Sequence, residues 1–127
     1  MPRTYSVLLA DPNPLLREKL AGVLTRSSTI WCVIQVDGRG SLARAAAQTL
    51  PDFVLADLSI LKDPEILRFL RRTSPDSRIV ALVDARQEAY LKAAQNLGLD
   101  GIAERGRAGE AISAMIGKAE DLNESSG

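Results

Sequence analysis

One short segment, residues 52–59, constrains the fold of this chain more than any other. It reads Asp52-Phe53-Val54-Leu55-Ala56-Asp57-Leu58-Ser59, an apolar run that follows Pro51 and meets a carboxylate at its end. A run of this length predicts a strand buried on both faces of a parallel sheet. Because ligand sites of open α/β sheets lie beyond the carboxyl ends of such strands, Asp57 is a candidate for chemistry. A carboxylate there also suits a plain strand end or the cap of a following helix.

Apolar segments of strand length alternate five times with segments of helical spacing over the 127 residues. Besides the strand that ends at Asp57, the predicted strands are Tyr5–Ala10, Ile30–Val36, Arg78–Val83 and residues 99–103. The alternation predicts one domain with a parallel sheet and helices on both faces, in three α/β/α layers. We expect it to have the known flavodoxin-like (βα)5 arrangement, a doubly wound parallel sheet in the strand order 2-1-3-4-5. Its central strands should bury Val7, Leu9, Val54, Leu55, Ile79, Ala81 and Leu82.

Capping residues indicate where the first helices begin. Asn13-Pro14 and Asp63-Pro64 each combine a capping side chain with a proline at the first helical position. Ser41 is expected to cap a small Ala-rich helix that ends before Pro51.

The C-terminal third predicts two more helices. Residues 86–97 should form a helix closed by Gly98, with Ala89, Tyr90, Ala93, Ala94 and Leu97 facing inward. The last helix should carry Ile112, Met115, Ile116 and Ala119 on one face. Residues 121–127 are polar and are expected to be a disordered tail or the start of a linker, which leaves residues 4–120 as the folded domain.

Composition narrows the classes of function. Sixteen basic and sixteen acidic residues give zero net charge, so we expect no nucleic-acid contact by this domain. No apolar run approaches the ~20 residues of a membrane span, and the N-terminal residues show no signal-peptide pattern. The lone Cys32 excludes an internal disulfide and fits a cytoplasmic protein. The chain has no histidine, which removes the commonest general base and metal ligand.

Three predicted strands end in charged residues at one edge of the sheet. Asp11 follows the first strand, Asp57 ends the third and Arg105 follows the fifth. Strands one and three flank the point where the winding of the sheet reverses. Asp11 and Asp57 should therefore face each other across one crevice.

These segments resemble the receiver domains of bacterial two-component response regulators, and most of all the receivers that precede a helix-turn-helix output domain. The resemblance covers about residues 7–116. It rests on Leu9-Ala10-Asp11 with Pro14-Leu15-Leu16-Arg17-Glu18 close behind, on residues 52–59, on Leu97-Gly98-Leu99-Asp100-Gly101, and on the spacing from Val83 to Tyr90 to Gly98.

The resemblance implies a role for each matching position. The aspartate that matches Asp57 accepts a phosphoryl group from a histidine kinase. Asp11, Asp57 and the backbone carbonyl of Ser59 match the positions that hold Mg²⁺. Arg105 stands where a lysine contacts the phosphoryl group. The chain would then be a cytoplasmic signalling module rather than an enzyme, with a transcriptional output domain either attached to it or as its partner.

Five positions depart from the pattern of the family. Pro12 replaces a second acid, Val83 a Ser or Thr, Asp84 a small residue, Ile102 an aromatic residue and Arg105 the lysine. Loss of one carboxylate predicts a weak Mg²⁺ site, with a Kd of about 1 mM or higher. Val83 offers no hydroxyl to a phosphoryl oxygen, and Asp84 would repel that group.

We therefore predict a pseudo-receiver with a weakened phosphorylation switch that acts through protein–protein contacts. Homodimer or partner contacts are expected on the helix from residue 86, the fifth strand and the last helix. The alternative is a functional phospho-receiver modified on Asp57. A flavodoxin-like enzyme or nucleotide binder is disfavoured, because Asp11-Pro12-Asn13-Pro14 is not a Gly-rich phosphate loop and no histidine base is present.

Overall fold

A computed structural model describes residues 3–85 and 87–126, with side chains described up to Lys118. Within these residues the strands are β1 (Tyr5–Ala10), β2 (Ile30–Val36), β3 (Phe53–Asp57), β4 (Arg78–Val83) and β5 (Gly101–Glu104). The helices are α1 (Pro14–Thr25), α2 (Arg39–Thr49), α3 (Leu58–Leu61), α4 (Pro64–Thr73), α5 (Glu88–Asn96) and α6 (Ala108–Ser126), and a 3-10 turn, Arg105–Arg107, joins β5 to α6.

The strands form one parallel sheet in the order β2-β1-β3-β4-β5, which confirms the predicted doubly wound fold. β1 and β3 pair side by side in the middle of it, with Ala10 opposite Ala56. That register places the residues that follow Ala10 and Ala56 at the same level of the sheet. The two strand ends therefore open into one shared crevice.

Both faces of the sheet are covered by helices because the central strands are apolar at nearly every position. On β3, Val54 and Ala56 pack into a cluster with residues of α2, α4 and α5, whereas Phe53 and Leu55 pack into a second cluster with α1 and α6. The seven residues predicted for the buried centre are at most 1% exposed. Burial on both faces of the sheet therefore explains the continuous apolar run from which this strand was predicted.

The helix starts follow the capping residues at two of three places. Asn13 Oδ1 accepts hydrogen bonds from the N–H groups of Leu15 and Leu16, and Asp63 Oδ1 accepts one from Glu65. The prediction that Ser41 caps α2 is wrong. The cap is Gly38, three residues before the predicted cap, and the Ser41 hydroxyl accepts a hydrogen bond from the Gly38 N–H from inside the helix.

The region around α5 differs from the sequence prediction at both ends. α5 begins at Glu88, and residue 86 of the predicted start lies outside the described residues. Gly98 closes the helix at a φ of 69°, as expected of a glycine after a helix. β5 begins at Gly101 and not at residue 99, because the N–H of Leu99 still bonds to Ala94 in the closing turn.

The inward faces of the last two helices are partly as predicted. On α5, Ala94 is buried and Tyr90, Ala93 and Leu97 are half-buried, but Ala89 is exposed and its inward placement was wrong.

Ile112 and Ile116 of α6 are buried and Met115 is half-buried, while the side chain of Ala119 lies outside the described part. α6 continues through residues 121–126, where a tail was expected, and the domain boundary at residue 120 stays a prediction. Among the described residues, no helix combines the length and apolar character that a membrane span requires.

Leu55 provides a test of the doubly covered strand. It is fully buried in β3, so Leu55→Ala removes packing that the surrounding core cannot refill. We expect a loss of about 2–5 kcal/mol in the free energy of unfolding, measured by urea titration. Val23→Ala is the matched control because Val23 is 46% exposed, and it should cost much less. Equal losses for the two variants would contradict the described core.

Candidate functional site

Asp57 has two structural duties at the carboxyl edge of the sheet. It ends β3, and it caps the one-turn helix α3. Its Oδ1 atom accepts hydrogen bonds from the Ser59 N–H at 2.9 Å and from the Ser59 hydroxyl at 2.5 Å. Both of the plain roles that the sequence allowed for Asp57 are therefore present, and neither excludes a role in the crevice.

Asp11 lies beside Asp57 and is deeper in the protein. Its side chain is 2% exposed. Asp11 Oδ1 accepts a hydrogen bond of 2.9 Å from the Asn13 N–H, and the carbonyl oxygen of Asp11 accepts one of 2.7 Å from Arg17. A carboxylate buried to this extent requires a compensating positive charge or several donors.

Arg105 supplies that charge and contacts three carboxylates at once. Its Nε atom donates to Asp11 Oδ2 at 3.1 Å, its Nη1 atom to Asp84 Oδ1 at 2.6 Å, and its Nη2 atom to Asp57 Oδ2. The Arg105 side chain is 16% exposed. The planar fork of a guanidinium can hold three acceptors in this way, whereas a lysine ammonium is a compact point charge.

The pKa of Asp57 reflects this environment. Burial by itself raises the pKa of the carboxyl group, but the hydrogen bonds from Ser59 and Arg105 outweigh it and hold the pKa below its ordinary value of 3.8. Burial likewise lowers the pKa of Arg105, and the bonds to Asp57 and Asp11 raise it above its ordinary value. The ion pair between Asp57 and Arg105 is therefore fully charged near neutral pH.

The other positions that depart from the receiver pattern lie around this cluster. Val83 and Ile102 are buried on the sheet face that α5 covers, and Pro12 is exposed. The Asp84 side chain is 87% exposed, and its carboxylate points back to Arg105. The structure thus brings Asp11, Asp57, Asp84 and Arg105 together, and leaves Pro12 outside the group.

A small cavity of about 200 Å³ opens beside Asp57. Its lining includes two residues that were not predicted for the site, Lys62 and Tyr90. Lys62 caps the C-terminal end of α3. Because α3 is a single turn that follows Asp57 directly, it brings Lys62 close to the crevice. The sequence feature that could have indicated α3 is its set of apolar residues, Leu58, Ile60 and Leu61, all of which are buried. A larger groove of about 850 Å³ between α2 and α4 has none of the crevice residues in its lining.

The fold is that of known receiver domains. The chain is similar to a LuxR-family two-component response regulator from Aurantimonas sp. SI85-9A1, with 23% identity, a TM-score of 0.77, and coverage of 91% of this chain and 86% of that one. The receiver domain of RcsB from Salmonella enterica serovar Typhimurium gives 18% identity, a TM-score of 0.76, and coverage of 93% and 89%. The receiver domain of AraT from Geobacillus stearothermophilus gives 17% identity, a TM-score of 0.76, and coverage of 94% and 98%.

The chain has the receiver fold of response regulators. No protein-family model and no curated protein sequence matches it. At these levels of identity the likeness concerns the fold alone, so the use of the site has to be argued from its own residues.

The Mg²⁺ site that the receiver fold implies does not fit this crevice as it is arranged. Among the described residues, no group of three acidic, histidine or cysteine side chains is placed to hold a metal ion. All four carboxylate oxygens of Asp11 and Asp57 already accept hydrogen bonds, from Asn13, Ser59 and Arg105. A divalent ion would have to displace those donors.

Ser59→Ala tests the cause of the low pKa of Asp57. The variant removes the hydroxyl that donates to Asp57 Oδ1, so the pKa of Asp57 should rise towards 3.8, as measured by a carbon-13 NMR titration of its carboxyl group. Since the folded-state pKa is depressed, Asp57 stabilises the fold above its unfolded-state pKa, and this stabilisation is lost as the pH falls through the folded-state value.

The wild-type protein should accordingly lose stability more steeply than Ser59→Ala as the pH falls below about 4. Ser113→Ala on the exposed side of α6 is the control and should leave the Asp57 titration unchanged. An identical Asp57 titration in the wild type and in Ser59→Ala would show that this hydroxyl does not hold the carboxylate.

Arg105→Ala tests the charge balance of the crevice. It leaves the buried Asp11 carboxylate without its cation, so the free energy of unfolding near pH 7 should fall by about 3–5 kcal/mol. Arg107→Ala is the matched control, because Arg107 is exposed on the same 3-10 turn. Urea unfolding measures both. A loss below about 1 kcal/mol for Arg105→Ala would mean that water, and not Arg105, compensates Asp11.

Proposed function

We propose that the chain is a signalling receiver module whose phosphorylation switch is weakened and which acts through protein–protein contacts. The observation that carries the proposal is the contact of Arg105 with the unmodified Asp57. A phosphoryl group on Asp57 would find its main cationic partner already engaged. A modification shifts a two-state equilibrium only by the difference in its interactions with the two states.

Three other positions that depart from the receiver pattern also support a weakened switch. Val83 has the shape of threonine without the hydroxyl, so it has nothing to donate to a phosphoryl oxygen. Ile102 is an aliphatic side chain in the core cluster on the α5 side, where a receiver switch would need an aromatic side chain with two positions. The exposed Asp84 adds negative charge beside the reacting edge. Each difference reduces the response to modification.

The surface proposed for contacts comprises α5, β5 and α6. Lys92 and Gln95 of α5 are exposed and available to a partner, and the ion pair of Lys92 with Glu88, at 3.7 Å, is itself exposed. Tyr90 is half-buried and lines the crevice cavity, so it links this surface to Asp57. The proposed partners are a second copy of the chain, a histidine kinase or another signalling protein, and an output domain, in the cytoplasm.

A functional phospho-receiver is the second candidate, and one observation favours it. The Asp57 side chain is 21% exposed and borders the open cavity beside Lys62. A phosphoryl donor could therefore reach its carboxylate if Arg105 moved aside.

A phosphoryl mimic separates the two candidates. Beryllofluoride with Mg²⁺ should leave the amide NMR spectrum of β4, α5 and β5 nearly unchanged, because the mimic gains few partners in the crevice. Asp57→Asn should leave the monomer–dimer equilibrium in sedimentation within about twofold of the wild type. The triple variant Pro12→Asp, Val83→Thr, Arg105→Lys reverses three of the five departures from the receiver pattern and is the positive control.

Large amide shifts through β4 and α5 in the wild type, or dimerisation on addition of the mimic, would establish the phospho-receiver instead. If the triple variant responds and the wild type does not, the weakened switch lies in these side chains and not in the backbone fold.

A further inference from the structure

We propose that the outer edge of β2 is a self-association surface, on which β2 of a second copy of the chain pairs in antiparallel orientation and extends the sheet. β2 and β5 are the two edge strands of the sheet. The proposed surface therefore lies at the opposite edge from α5, β5 and α6. It is independent of the contacts proposed there and of any modification of Asp57.

Backbone groups on the outer side of β2 have no partner strand. The N–H of Asp11 donates to the carbonyl of Val36, so Val36 turns its backbone groups towards β1. Alternate residues of a strand turn these groups to opposite sides, which directs the N–H and carbonyl groups of Val33 and Gln35 away from the sheet. In the described sheet β2 pairs with β1 alone. An added strand is the partner that such a row of donors and acceptors fits.

The outer edge of β2 is open to solvent. Trp31 is 67% exposed, Gln35 is exposed, and residues 32–34 and 36 are each partly exposed. The neighbouring strand β1, in contrast, is buried at every residue. The helices that pack on β2 therefore leave room for another strand beside it.

β2 lacks most of the features that keep edge strands from pairing. Natural edge strands are often short, charged, bulged or interrupted by proline. β2 has seven residues with no charge and no proline among them. Its pairing with β1 skips Trp31, so one bulge is present and residues 32–36 form the regular segment. At the other edge, β5 has only four residues and includes Glu104. The two edges of the sheet are therefore unequally protected.

Charge favours a second copy of the chain as the partner. The run from Ser27 to Val36 contains no charged residue, and Arg26 and Asp37 bound it. Both of these side chains are exposed, and neither forms an ion pair with another described residue. Antiparallel pairing about an axis near Val33 brings the Arg26 end of each strand towards the Asp37 end of the other, twice by symmetry. Parallel pairing would place like charges together.

Sedimentation equilibrium between about 10 µM and about 1 mM protein measures the association. The paired segment is short, so the dimer should be weak, with a Kd of about 0.1 mM. Gln35→Pro removes an outward N–H from each copy, at an edge position where proline is tolerated. The loss of two hydrogen bonds per dimer should weaken association at least about tenfold. Gln35→Ala keeps the N–H and should stay within about twofold of the wild type. Urea unfolding checks that both variants are folded.

Charge reversal tests the orientation of the two strands, and it decides the outcome if Gln35→Pro does not fold. Arg26→Glu and Asp37→Lys each place like charges together and should weaken association at least about threefold at low salt. The double variant restores opposite charges and should return to within about twofold of the wild type. Arg107→Glu makes the same charge change on the exposed turn after β5 and should have no effect.

Two readouts within β2 locate the contact. Trp31 is the one tryptophan of the chain, and its fluorescence should shift to the blue as the protein concentration rises. The amide hydrogens of Val33 and Gln35 should exchange at least about twofold more slowly at about 1 mM than at about 50 µM protein. The amides of Ile34 and Val36 face β1 and should exchange at the same rate at both concentrations.

A wild-type protein that stays monomeric at about 1 mM would overturn the proposal. So would a dimer that Arg107→Glu weakens while Arg26→Glu and Gln35→Pro do not. That second result would assign the dimer to the surface of α5, β5 and α6, and it would leave the proposed signalling function in place.

Discussion

The carboxyl edge of the sheet depends on the guanidinium of Arg105 and its three carboxylate partners. Asp11 is almost completely buried, and a charge at that depth is tolerated only beside a cation and hydrogen-bond donors. Arg105 satisfies Asp11 through Nε and still has two nitrogens for Asp57 and Asp84. The contact also ties the turn after β5 to the ends of β1, β3 and β4. One side chain therefore joins four of the five strands at the place where a receiver fold would respond to modification.

That cluster exists because the sheet is built as it is. β1 and β3 are apolar at nearly every position, so they pair in the centre with helices on both faces. Their register sets Ala10 opposite Ala56, and the next residue on each strand is an aspartate. Two carboxylates at the same level of adjacent strands repel each other unless a cation lies between them. The strand order therefore makes a cation necessary between Asp11 and Asp57, and Arg105 at the end of β5 provides it.

The sequence allowed the strands, their order, Asp11, Asp57 and Arg105 to be predicted, because these follow from buried apolar runs and from the general geometry of doubly wound sheets. It did not predict α3, Lys62 or the pairing of Asp84 with Arg105. A one-turn helix has no periodicity to detect, and its cap, Asp57, was already assigned to the strand. Asp84 was expected only to repel a phosphoryl group, and its hydrogen bond from Arg105 had no counterpart in the sequence pattern. Such pairings depend on rotamers and loop paths that sequence spacing does not contain.

Arginine in place of lysine has a thermodynamic consequence for a switch of this kind. A switch requires a cation that gains a partner in one state and lacks it in the other. A compact ammonium with one acceptor meets that condition, since it can exchange one oxygen for another at a different depth. For a guanidinium with three acceptors the same exchange costs more, because moving it to a new oxygen breaks bonds to Asp11 and Asp84 as well as to Asp57. A state in which Arg105 leaves the crevice would leave the buried Asp11 carboxylate without its cation, which is costly unless another cation replaces it.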